Sequence, residues 1–262
     1  MEKPPHLRPE FAKRFQDPAV ALAYLSRPPY PEETFSVLSS LVAGSPRIVL
    51  DVGCGTGSIA RLIAPLVDEV DAVDFSVPMM ETAKALPGGN SPKIAWKLGR
   101  IEEVALRPSY SLIVGGQSLH WTDWDVVFPR FRGALARGGF LAVVDLDNEP
   151  TPWKAEEDEL VKKFSTNPDY RPYPPHDMVA DWERSGIFEK RGEKKTAPVP
   201  FYHTPEEYTE WLHSRSSLTR GSMGREKAAE FDARVALVLK KHVRGASVES
   251  LVFSTIVWGA LP

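Results

Sequence analysis

Residues 49–57 read VLDVGCGTG: a β-rich apolar run that passes without a break into a turn with three glycines in five positions, Gly53, Gly55 and Gly57. Helical spacing of apolar residues begins directly afterwards, so the stretch reads as strand, glycine turn and helix. Such a turn lets the backbone approach a ligand closely, and the helix behind it offers unpaired N–H groups and a positive dipole end. A G-x-G pattern alone says little. It gains meaning from Asp74, which closes the next apolar run in DAVDFS near the spacing at which an acidic side chain takes ribose hydroxyls. The chain therefore reads as an α/β protein that binds a nucleoside-containing ligand.

The rhythm continues on both sides of this stretch. Strands are expected at 47–52, 69–73, 93–98, 111–115 and 140–145, with helices at 58–67, 78–86 and 123–136, the last stopped by Gly138 and Gly139. Alternation of this kind gives a parallel sheet wrapped by helices. The expected fold is a Rossmann-like, doubly wound, mostly parallel seven-stranded sheet with an N-terminal helical cap and a late helical insertion. A single domain is expected over 1–262: a cap at 1–44, a cofactor-binding core at 45–150, and a C-terminal part of the sheet at 151–262 bearing the insertion as a lid. Cap helices are expected at 11–25 and 32–42. Later helices are expected at 154–164, 177–185, 205–215 and 225–242, with a strand within 188–199 and a final strand in SLVFSTIVWGA. Thr204, Pro205 and Glu207 supply an N-cap, a first-turn proline and a capping box.

Composition narrows the partners. Thirty-two Lys and Arg against 35 Asp and Glu give a net charge of −3 over 262 residues, which offers no electrostatic grip on nucleic acid or an anionic membrane. A small-molecule partner is expected, with the protein a monomer or homodimer. The opening MEKPPHLRPEFAKRF lacks the apolar segment of a secretion signal, and no stretch reaches the roughly 20 apolar residues of a membrane span. A cytoplasmic protein is expected. Cys54 is the only cysteine, which rules out an internal disulfide and a multi-cysteine metal site, and no metal is expected.

The choice of nucleoside turns on two details. A dinucleotide-binding turn takes G-x-G-x-x-G or G-x-G-x-x-A, whereas here Ser58 stands at the last position and the third glycine is Gly57. Asp51, two residues before the first glycine, sits awkwardly beside a pyrophosphate but suits a cationic ligand. S-adenosylmethionine carries both a sulfonium and an ammonium. An NAD-dependent oxidoreductase and a non-catalytic S-adenosylmethionine-binding protein remain as alternatives.

At LDVGCGTG the chain resembles the class I S-adenosylmethionine-dependent methyltransferases, and further stretches match in order: Asp74, GRIEEVAL, GGQSLHW and FRGALARGGFLAVV. More narrowly, YLSRPPYP, SLHW and TPEEYTEWLHSRS resemble the type 11, small-molecule subgroup that includes trans-aconitate methyltransferase. The resemblance implies that Gly53, Gly55 and Gly57 cradle the methionine part of the cofactor above Asp51, that Asp74 takes the ribose hydroxyls, and that Phe75, Ile101 and Glu102 meet the adenine. Arg100 departs from the small or acidic residue common there, and Ser111 from a common Asp. Tyr24, Arg27 and Tyr30 are expected over the cofactor, with Arg27 pairing the cofactor carboxylate or an anionic substrate, and Gln117 beside it; a proline-rich connector that only spaces two surface helices is the competing reading.

Methyl transfer needs an acceptor atom in line with the sulfonium and methyl, and a base only where the acceptor must lose a proton. His120 is the candidate for that base, against the plainer reading of a hydrogen-bonded pocket histidine. Ser118, His120, Trp121 and Arg215 are expected around the acceptor; Trp121 equally suits core packing, and Arg215 helix-end capping. Tyr170, Tyr173 and His176 suit either a lid or the packing of a loop.

Overall fold

The structure, a computed structural model, describes residues 4, 7, 9–167 and 173–262, so Tyr170 lies outside it. The chain begins with α1 (Pro9–Ala12), α2 (Pro18–Ala23) and α3 (Glu32–Leu41). The cap is thus broken where one helix was expected over 11–25, and the cause is Pro18. Asp17 before it is extended and its carboxylate accepts the Ala19 N–H at 2.9 Å, which ends one helical stretch and starts the next.

The core then alternates as β1 (Ile48–Val52), α4 (Ala60–Ile63), β2 (Glu69–Asp74), α5 (Val77–Ala85), β3 (Ile94–Leu98), β4 (Tyr110–Gly116), α6 (Trp124–Ala134) and β5 (Leu135–Asn148). Two helices are shorter than expected. The extended glycine turn delays α4, and a 3₁₀ turn containing Pro65 ends it. α6 stops at Ala134 rather than at the Gly138–Gly139 pair, because Leu135 already pairs with Tyr110 on β4. The rest comprises α7 (Lys154–Phe164), α8 (Pro175–Arg184), β6 (Glu189–Lys195), β7 (Val199–His203), α9 (Pro205–His213), α10 (Arg220–Met223), α11 (Arg225–His242) and β8 (Val248–Ala260).

The sheet runs β3-β2-β1-β4-β5-β8-β6, with β7 also on β8. β1 to β5 pair in parallel, while β8 is antiparallel to β5, β6 and β7. β6 pairs with positions 255–260 of β8 and β7 with 248–252, so the two lie end to end along one edge. Among the described residues, eight strands therefore fill seven positions. The strand expected within 188–199 is β6, and β7 is an additional strand beyond a break at 196–198, where the Thr196 hydroxyl accepts the Ser254 N–H at 2.9 Å and Pro198 has no N–H to give.

Alternate faces of the buried strands feed two cores. Val49, Leu112 and Ala142 pack with Leu38 and Ile63 on one side, and Leu50, Ile113 and Leu141 with Phe128, Phe131 and Trp182 on the other. α7, α9 and α11 close around a third cluster that includes Phe164, Leu212 and Phe231. Order reverses between β1 and β4, and in open sheets of this kind the crevice beyond those carboxyl ends receives the ligand.

Candidate active site

A cleft of about 1130 Å³, open at its mouth, lies at that crevice, lined by the ends of β1, β2, β4 and β5 and covered by the N-terminal strap. Its floor starts with Asp51, buried in β1, whose carboxylate accepts the Ala60 N–H at 2.9 Å. Burial pushes this carboxyl up to about 7; the Ala60 hydrogen bond opposes the rise and the charge of Asp74 adds to it.

The turn beyond β1 needs its glycines for two different reasons. Gly53 has φ +64, and a Cβ there would lie 2.6 Å from that of Ser118, so this position lets two loops meet at the cleft. Gly57 has φ +73, but a Cβ there would collide at 2.7 Å with the Trp96 ring. Gly57 packs the first turn against β3 and is not among the cleft-lining residues, whereas Gly53 and Gly55 are.

Asp74, at the end of β2, ties this turn down: one oxygen accepts the Gly55 N–H and the other the Ser76 N–H, each at 2.8 Å. Its pKa is raised by burial, against the hydrogen bonds from Ser76, Gly55 and Phe75. A carboxylate offers about four acceptor positions, so with three taken about one remains for a ligand. Phe75, Met79 and Ile101 give the adjoining wall apolar surface. Glu102 also lines the cleft, with one oxygen accepting the Asp123 N–H at 2.8 Å and the other 3.6 Å from Arg100 Nε.

The strap supplies Phe15, Tyr24, Arg27 and Tyr30. Phe15 meets Tyr24 and Trp121 edge-on, at ring separations of 5.9 and 5.7 Å, and its carbonyl accepts the Ser76 hydroxyl at 2.7 Å. Arg27 lies over the Tyr24 ring at 4.0 Å. The Tyr30 hydroxyl packs directly on Gly116, where a Cβ would come within 2.7 Å of it. Gln117 and Ser118 follow β4, and the Ser118 hydroxyl donates to the Val52 carbonyl.

Thirteen expected site residues therefore line the cleft: Tyr24, Arg27, Tyr30, Asp51, Gly53, Gly55, Asp74, Phe75, Ile101, Glu102, Gln117, Ser118 and Trp121. Three do not: besides Gly57, His120 sits in the 3₁₀ turn Leu119–Trp121 with its ring 4.8 Å from that of Trp121, and Arg215 faces Glu157 at 3.4 Å and lies over Trp211. Buried His213 is hydrogen-bonded to the Leu218 carbonyl and to Asp232, both at 2.7 Å. The Tyr173 hydroxyl donates to Asp181 at 2.5 Å on α8, and His176 is exposed beside Asp177. Phe15 was not anticipated, because nothing in its helical spacing separates a roof from a core residue. Asp145 was also missed, although it is an acid near the carboxyl end of a central strand, as Asp51 and Asp74 are.

Residues 49–139, which carry the turn and most of the cleft wall, match the family model described as a methyltransferase domain. This segment is similar to methyltransferase domains. Among curated proteins, a trans-aconitate 2-methyltransferase of Methylobacterium radiotolerans is 33% identical over 120 residues, 44% of this chain and 45% of that protein. An uncharacterized methyltransferase of Mycobacterium bovis is 30% identical over 145 residues, 55% of this chain and 57% of its own length. The chain thus spans about half the length of the curated relatives it matches. A solved structure from Anaeromyxobacter dehalogenans, provisionally described as a type II methyltransferase, superposes with TM-score 0.61 at 22% identity, covering 89% of this chain and 96% of that one. The matched segment therefore sits within a fold shared along most of the chain.

Proposed function

We propose that the protein transfers a methyl group from S-adenosylmethionine to a small-molecule acceptor by in-line displacement. The observation that carries this reading is the pair of buried acids, Asp51 and Asp74, at adjacent strand ends beneath a glycine turn within a methyltransferase domain. The donor set fits the cofactor. An acidic floor suits its sulfonium and ammonium, the remaining acceptor position of Asp74 suits a ribose hydroxyl, Arg27 suits a carboxylate, and Phe75, Met79 and Ile101 suit a purine. A nicotinamide dinucleotide would instead set its pyrophosphate beside Asp51, which disfavours that alternative.

When bound, the cofactor supplies an electrophilic methyl and leaves as a neutral thioether. The chain's part is to hold and to exclude. Asp74 anchors both the turn and the ribose, Asp51 stabilises the positive charge from below, and the Phe15, Tyr24 and Trp121 rings keep water off the transfer line. An anionic acceptor needs no base, so we assign His120 to support of the Trp121 wall. No described helix is long and apolar enough to cross a membrane, and we assign a dissolved acceptor in the cytoplasm, with no nucleic-acid partner and a monomer or homodimer as the working form.

Titration calorimetry should detect S-adenosylhomocysteine binding and none of NAD; the reverse outcome overturns the assignment. A screen with methyl-labelled cofactor over carboxylates, phenols, thiols and amines then identifies the acceptor. Carboxylates head the panel, because one relative is named for trans-aconitate. Tight cofactor binding with no transfer to any class would favour a sensor.

A further inference from the structure

Around Arg27 runs a chain of hydrogen bonds that crosses the cleft from the insertion to β5. Its guanidinium donates from Nε to the Ser214 hydroxyl at 2.8 Å, from Nη2 to the Ser214 carbonyl at 3.2 Å, and from Nη1 to Gln117 Oε1 at 3.1 Å. The far side of the same amide donates from Nε2 to Asp145 Oδ1 and to the Leu146 carbonyl, both at 3.0 Å. Burial raises the Asp145 carboxyl to about 6 and the charge of Asp147 adds to this, while the Gln117 hydrogen bond, the Leu146 backbone and the Arg27 charge oppose it. Facing the Gln117 NH₂ at 3.0 Å, its oxygen accepts.

That fixes the amide. Turned over, Gln117 would point its oxygen at a carboxylate and a carbonyl, and its NH₂ at a guanidinium that has no acceptor to offer. Gln117 also holds φ +53, a left-handed backbone that a non-glycine residue keeps only where its surroundings demand it. Of the five N–H donors of Arg27, three are committed to Ser214 and Gln117, which leaves two for a ligand in the cleft it lines.

Resting on the methyl-transfer reading and going beyond it, we infer that Asp145 is a positioning residue: through Gln117 it orients the Arg27 guanidinium to take the α-carboxylate of the cofactor. Asp145 itself does not touch the ligand. Its effect is confined to ligands that carry the amino-acid moiety, which a general structural role would not be.

The test is titration calorimetry on the full chain with S-adenosylhomocysteine and with 5′-methylthioadenosine, which lacks the amino-acid moiety. The variants are Asp145→Ala and Gln117→Asn. Asn accepts left-handed backbone but is one methylene too short to bridge Arg27 and Asp145. Each should weaken S-adenosylhomocysteine about tenfold and leave 5′-methylthioadenosine within about twofold, and the double variant should lose little more than either single one. Equal weakening of both ligands, no effect of Asp145→Ala, or simple addition of the two losses would overturn the inference. A wild-type protein that binds neither ligand removes the methyl-transfer reading and this inference together.

Discussion

On the β1–β2 side of the cleft, contacts join near neighbours: Asp51 holds the Ala60 N–H from 9 positions away and Asp74 the Gly55 N–H from 19. On the strap side, Arg27 reaches Ser214 across 187 positions and Arg14 reaches Ser216 across 202. The first wall is backbone held by buried carboxylates, complete once two strands and a turn are in place. The second is side chains meeting across separate parts of the chain, so it can part without disturbing the sheet. Entry of a ligand should use the second wall and leave the first unchanged.

The contrast breaks most severely at Gly53. Gly53→Ala adds a Cβ 2.6 Å from that of Ser118 at φ +64, and strain and overpacking together should remove roughly 3 kcal/mol of stability, with cofactor binding lost. A melting curve like that of the wild type would show that the turn is not rigid. Asp74→Ala comes next, releasing the Gly55 and Ser76 N–H groups as well as the proposed ribose contacts. It should weaken S-adenosylhomocysteine by roughly 1–3 kcal/mol, and unchanged affinity by calorimetry would remove Asp74 from the site.

Acidity sharpens the comparison further. Asp51 titrates at about 7 in the folded chain against roughly 4 when unfolded, so the folded state holds an extra proton between those values. Its contribution to stability is largest below about pH 4 and declines as pH rises to 7. A cationic ligand favours the ionised form. Affinity for S-adenosylhomocysteine, which keeps the ammonium, should therefore rise several-fold from pH 6 to 8 with release of a proton, and calorimetry in buffers of different ionisation heat counts it. Binding without proton release would contradict the acidic floor.

The smallest effect belongs to the strap. Arg14 donates to Thr166 Oγ1 at 2.8 Å, Asn167 Oδ1 at 2.5 Å and the Ser216 carbonyl at 2.6 Å. Arg14→Ala should cost about 1 kcal/mol and speed proteolytic cleavage near the strap more than it lowers the melting temperature. Equal effects on both would mean that the two walls form one unit.

The same division governs what can be read without coordinates. Strand, glycine turn and closing acid are dictated by local backbone geometry, so residue types recur at fixed spacing and the places of Asp51, Gly53, Gly55 and Asp74 along the cleft were legible. Helices 154–164 and 225–242 were legible to the residue, because their charged and apolar faces follow the helical period. Gly57 packs on Trp96 rather than lining the cleft, and spacing alone does not separate these two uses of a glycine. Phe15, Asp145 and the position of Arg215 depend on which distant segment arrives opposite, and no spacing within the chain encodes that.

The place of β8 has a consequence for how the molecule is made. The last strand in the sequence lies between β5 and the β6–β7 edge, and the arginine that the strap sends into the cleft is held by Ser214, near the end of α9. During synthesis the glycine turn and its acids can assemble early, but β5 keeps an open edge and the strap has no latch until more than two hundred residues have emerged. A nascent chain that pauses earlier would expose an unpaired strand and an uncovered cleft, the surface on which chaperones and stray partners act.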